Sequence, residues 1–205
     1  MPLPLQTVLD SIAEWNRVRK DRELVTFYLN QGKFFPFECV NKGASKYLHA
    51  YPGIMNDKLF FFLIPSEFDT EQKSAVPITE YINAFPVENG LGNGQELPEK
   101  EAKQRIENWD ENLNKWIKTQ IDAPEGIFQA FAMPTDYLVD ATKIPYNANF
   151  ALRTSPEKAS GFTADLVIVD QADQKTVYYD TVRPVPPFAP LEGEFYLLQL
   201  ATVTA

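Results

Sequence analysis

Apolar positions in the stretch 98–121 recur at steps of three and four. Ala102, Ile106, Trp109, Leu113, Trp116, Ile117 and Ile121 thereby form one stripe of a helix. The opposite side reads Glu101, Gln104, Arg105, Glu107, Asn108, Glu111, Asn112, Lys115 and Lys118, and is assigned to solvent. Pro98 suits a first helical position, where its missing amide proton costs nothing. Glu99 and Glu101 place negative charge at the positive end of the helix dipole, and Lys115 and Lys118 complement the other end. Pro124 and Gly126 close the element. Trp109 and Trp116 read as core anchors. Burying a large apolar side chain is worth roughly 1.5–3 kcal/mol, so the stripe needs an apolar surface, and strands are the abundant candidates.

Leu5, Val8, Leu9, Ile12 and Trp15 make a second stripe and predict a helix over about 5–19. The stretch 23–30 fits two patterns. Leu24, Phe27 and Tyr28 can share a helical face, but Val25-Thr-Phe-Tyr-Leu29 is strong strand composition, and a strand is the assignment adopted. Residues 34–40 alternate as a strand, and Pro36, which cannot donate to a ladder, sends it to a sheet edge or a bulge. Strands over 46–55 and 58–64 flank Asn56-Asp57, a pair suited to a tight hairpin turn. The second arm, Leu59-Phe-Phe-Phe-Leu-Ile64, is apolar on both faces, as in a strand covered on both sides or one that meets another molecule.

Residues 79–85 suit a short helix or strand, and the glycine-rich stretch 88–96 is read as a flexible loop within one domain spanning 1–205. Five strand-like segments follow the long helix, at 127–133, 149–154, 163–170, 176–183 and 194–203; Gln171 to Gln174 turns the third into the fourth. The proline-rich stretch 183–195 reads as a stiff extended connection. Consecutive short strands leave little room for crossovers. The fold class is therefore α+β: a mostly antiparallel β-sheet with two packed amphipathic helices, at about 5–19 and 98–121.

Composition narrows the classes of function. Of 205 residues, 44% are apolar and 13% aromatic, enough for a sizeable core. The net charge of -9 and the scattered basic residues, clustered only at Arg17, Arg19, Lys20 and Arg22, argue against nucleic acid; that cluster reads as a solvated helix end. Cys39 is the only cysteine, the first residues lack a signal-peptide pattern, and the longest apolar run is too short for a bilayer. A cytoplasmic protein without membrane contact is expected.

No residue pattern specifies a reaction, cofactor or metal. His49 is the only histidine, which removes mechanisms needing two imidazoles. On a strand, Tyr47, His49 and Tyr51 share one face, a candidate small-molecule site with two phenols and a group that titrates near neutrality. Cys39, beside Phe35 and Phe37, reads as a buried hydrophobe rather than a nucleophile. The glycines at 90, 92 and 94 miss the dinucleotide and P-loop spacings, and the groups Asp136 with Asp140 and Asp165 with Asp170 and Asp173 read as surface acid. Two functions are expected from these residues. The first is a non-catalytic interaction or assembly module, pairing with itself or another protein through Phe34, Phe35, Phe37, Phe60 and Phe62. The second is a small-molecule site, with or without catalysis, around Tyr47, His49 and Tyr51.

Overall fold

The computed structural model describes residues 3–39, 43–71, 78–88, 100–136, 138, 146–170, 178–179, 183–186 and 195–203. Among them are four helices, α1 (Leu5–Val18), α2 (Arg22–Leu29), α3 (Lys100–Gln120) and α4 (Tyr196–Val203). The strands are β1 (Phe34–Phe37), β2 (Tyr47–Met55), β3 (Lys58–Pro65), β4 (Asn83–Pro86), β5 (Ala130–Pro134), β6 (Tyr146–Thr154), β7 (Phe162–Asp170), β8 (Tyr178–Tyr179) and β9 (Arg183–Val185). They form a four-stranded sheet, β1-β6-β7-β8, and a five-stranded sheet, β4-β3-β2-β5-β9, with every pairing antiparallel. The fold is α+β.

The β2–β3 hairpin turns at Asn56 and Asp57, whose φ angles of 51° and 58° match the left-handed pair of a type I′ turn. Its register sets Met55 against Lys58 and His49 against Ile64. β3 lies between β4 and β2, and both its faces are covered. Leu59, Phe61 and Leu63 enter one apolar cluster, and Phe62 and Ile64 enter a second on the opposite side. That explains its apolar run without a partner molecule.

In the first cluster the two sheets meet through aromatic rings. Phe35 stacks on Phe61 at 4.3 Å, and Phe61 approaches Phe150 at 5.7 Å. α3 closes this layer: Trp109 and Trp116 are buried, and Trp109 packs on Phe150 at 5.0 Å. The polar side of α3 is less solvated than expected. Arg105 and Asn108 are buried; Arg105 pairs with Asp165 at 2.8 Å and with Glu101, and Asn108 Nδ2 donates to the Leu152 carbonyl. A long amphipathic helix can bury a flank when its polar groups find partners there.

The second cluster lies between the other face of the five-stranded sheet and α1 and α4. α1 reaches the backbone of β2 at Gly53, where an added Cβ would stand 2.5 Å from Phe62 Cε2 and 3.0 Å from the Ser11 carbonyl carbon. Only glycine permits that approach. The basic cluster is dispersed by this packing. Arg19 is buried and donates to the carbonyls of Glu125 and Ile127, and burial lowers its pKa to about 10.

Two expected strands are helices. The stretch 23–30 lies in α2 and its C-cap Asn30, because Asp21 caps the helix by accepting from the amides of Glu23 and Leu24, while Val25, Tyr28 and Leu29 supply a buried face. Residues 194–203 contain α4, which buries Leu197 and Ala201 one turn apart. β1 lies at a sheet edge, as Pro36 requires. The expected start of the long helix at Pro98, most of the glycine-rich loop 88–96 and the turn at 171–174 lie outside the described residues.

Candidate functional site

Strand alternation carries His49 and Tyr51 to the same face of β2. The hairpin returns β3 alongside, and beyond Pro65 a single 3-10 turn, Ser66–Phe68, folds the chain back over that face. Ser45 holds this turn by accepting the Glu67 amide through its hydroxyl. The next residue, Asp69, thereby reaches both side chains. Its Oδ2 lies 2.6 Å from His49 Nδ1 and also accepts the Tyr51 hydroxyl proton, and its Oδ1 accepts the backbone amide of Leu197 at 3.1 Å.

All three side chains are inaccessible to solvent. Burial, then the charge of Asp69 and the hydrogen bond to it, hold the Tyr51 pKa well above the ordinary phenol value, so the hydroxyl remains a donor. An ionised carboxylate only accepts, so His49 Nδ1 carries the proton shared with Asp69. In the neutral ring Nε2 then presents a lone pair. That atom is buried and has no hydrogen-bond partner among the described residues.

Phe195 covers the imidazole. Its ring stacks on His49 at 3.9 Å and 12°, and stands edge-on to Tyr51 at 5.9 Å and 79°. Its backbone has φ of +43°, an unfavourable value for a bulky residue, and its carbonyl accepts the amides of Leu198 and Gln199 as α4 begins.

Of the three residues expected to line a site, His49 and Tyr51 converge on one carboxylate, while Tyr47 is half-buried and outside the cluster. Asp69 and Phe195 were missed. Asp69 sits in a stretch without a clear pattern, and the end of β3 together with the Ser66–Phe68 turn brings it to His49. Of the residues expected to form an aromatic surface, Phe34, Phe35, Phe37 and Phe62 are buried, and Phe60 is partly covered. Among the described residues Phe27 is the exposed large hydrophobic side chain. The expected surface acid Asp165 is buried against Arg105, whereas Asp140 lies outside the described residues.

The architecture defines an α+β protein of two antiparallel sheets with an internal Asp–His–Tyr cluster beneath a short helix. No family model, curated protein or solved structure matches the chain. No described helix is long and apolar enough to cross a membrane.

Proposed function

We propose that this protein binds a small molecule at the cluster of His49, Tyr51 and Asp69. The observation that carries the reading is His49 Nε2, a buried polar atom without a partner among the described residues, on a ring oriented at its other nitrogen by a carboxylate. Leaving such a group unpaired costs about 1–3 kcal/mol, yet Asp69 commits one contact of its carboxylate to orienting it. A ligand donor at Nε2 would complete the set. The buried Tyr51 hydroxyl and Asp69 fix the ring's tautomer, as supporting groups do around binding sites.

The interaction-module reading is the weaker one. Phe34, Phe35, Phe37 and Phe62 lie in the core, and the partly covered Phe60 with the exposed Phe27 supplies too little apolar area for a stable interface. The buried Cys39 suits the reducing cytoplasm in which such a binding protein would work.

The test is a small-molecule screen read at the imidazole nitrogens by NMR. The expected result is a compound that shifts His49 Nε2 in the wild type and loses its affinity in His49→Phe. If no compound moves that resonance while His49→Phe changes only stability, the cluster is a structural pin and the reading fails.

A further inference from the structure

We infer that Phe195 occupies the seat of an aromatic ligand: the molecules taken at His49 carry a flat ring with a short arm ending in an N–H or O–H donor, and they displace Phe195. The inference rests on the binding site proposed above and names its ligand class.

Two walls of the seat are already set by the way they hold a ring. The imidazole of His49 is its floor, in parallel contact with Phe195, and the phenol of Tyr51 stands nearly perpendicular at its side. Such a corner of one stacked and one edge-on partner selects a planar π system over a saturated ring. Across the ladders His49 pairs with Ala132 on one side and Ile64 on the other, and both belong to the same apolar cluster, so the strands beside it bring no polar side chain at those positions.

Phe195 fits the space and leaves its chemistry unfinished. A benzyl ring has no donor for Nε2, and Nε2 has no other partner among the described residues. The lone pair of Nε2 lies in the imidazole plane, so a stacked ring reaches it only through an arm that bends past the ring edge. With the ring centroids 3.9 Å apart, a one-carbon arm leaves its donor well above that plane, whereas a two-carbon arm, hydroxyethyl or aminoethyl, brings the donor down to the lone pair.

The backbone of Phe195 makes displacement accessible. Its φ of +43° is strained, and withdrawing the ring lets the residue relax toward an ordinary conformation. Besides the packing of α4, the bond described between α4 and the cluster is the amide of Leu197 on Asp69 Oδ1.

Three probes of similar size separate the requirements: 2-phenylethanol has ring and donor, propylbenzene has the ring alone, and 2-cyclohexylethanol has the donor alone. They are titrated into the wild type and Phe195→Ala, with the His49 Nε2 resonance as readout. 2-Phenylethanol is expected to bind Phe195→Ala about tenfold or more tightly than the wild type, and about tenfold more tightly than either analogue. If Phe195→Ala fails to fold, Phe195→Leu keeps an apolar cap without a flat face and is expected to show the same order of affinities.

Equal or tighter binding of propylbenzene would mean that the substitution has only made an apolar hole, and would overturn the inference. Equal binding of 2-cyclohexylethanol would overturn the aromatic class while leaving the His49 site standing. No response of His49 to any probe in either protein would remove the inference, and a negative screen of the wild type would remove the site as well.

Discussion

Asp165 is held by two donors, Arg105 Nη1 at 2.8 Å and the amide of Leu166 at 2.9 Å, yet burial outweighs them and lifts its pKa to about 6. An unfolded aspartate titrates at about 3.9, so the folded chain holds this proton more tightly than the unfolded one. The stability that follows is complete below about pH 4 and is lost as pH rises through about 6. Urea unfolding from pH 4 to 7 should show the wild type losing at most about 3 kcal/mol relative to Asp165→Asn across that window. Parallel profiles would refute it. The carboxyl reads as ordinary surface acid because nothing near it in sequence reveals Arg105, sixty positions earlier on α3. Asp69 was hidden in the same way. Alternation alone places His49 and Tyr51 together, but the third member of their cluster depends on where a hairpin ends and on one 3-10 turn.

Among the elements, α1 sits closest to the sheet. A methyl group at Gly53 would collide with the ring of Phe62 and the backbone at Ser11, so Gly53→Ala must push the helix away or tilt the ring. The expected loss is about 1–3 kcal/mol in thermal or chemical unfolding. An unchanged midpoint would mean that the helix yields freely. α1 and α3 were legible because each carries a long stripe at helical spacing. α2 and α4 were misread because each spans only eight residues, too few for the period to overrule composition. Val25 to Leu29 is rich in β-formers, and the decisive signal was the Asp21 cap. In α4, leucines at 197, 198 and 200 suit either period.

Across the whole molecule, the pairings join remote parts of the chain. Phe34 pairs with Asn149, Ala50 pairs with both Leu63 and Phe131, and Ala130 pairs with Val185. Closing such loops precedes the reward from the contacts they make, so folding should take on the order of milliseconds to seconds, or longer. Trp15, Trp109 and Trp116 are all buried, and their fluorescence in stopped-flow refolding will report it. A single submillisecond phase would contradict this topology. The broad architecture was readable because antiparallel neighbours announce themselves in short strands. The division into two sheets was not, since it depends on which distant strand each edge finds.

The two-sided burial of β3 has a further cost. A strand with one oily and one wet face resists sliding, because a shift by one position would turn every side chain the wrong way. Leu59 to Ile64 enjoys no such protection: moved one rung, it would still offer hydrocarbon above and below. Its alignment with β2 is therefore entrusted to the bend at Asn56 and Asp57 and to the narrow gap at Gly53, two small places that keep count for the whole ladder.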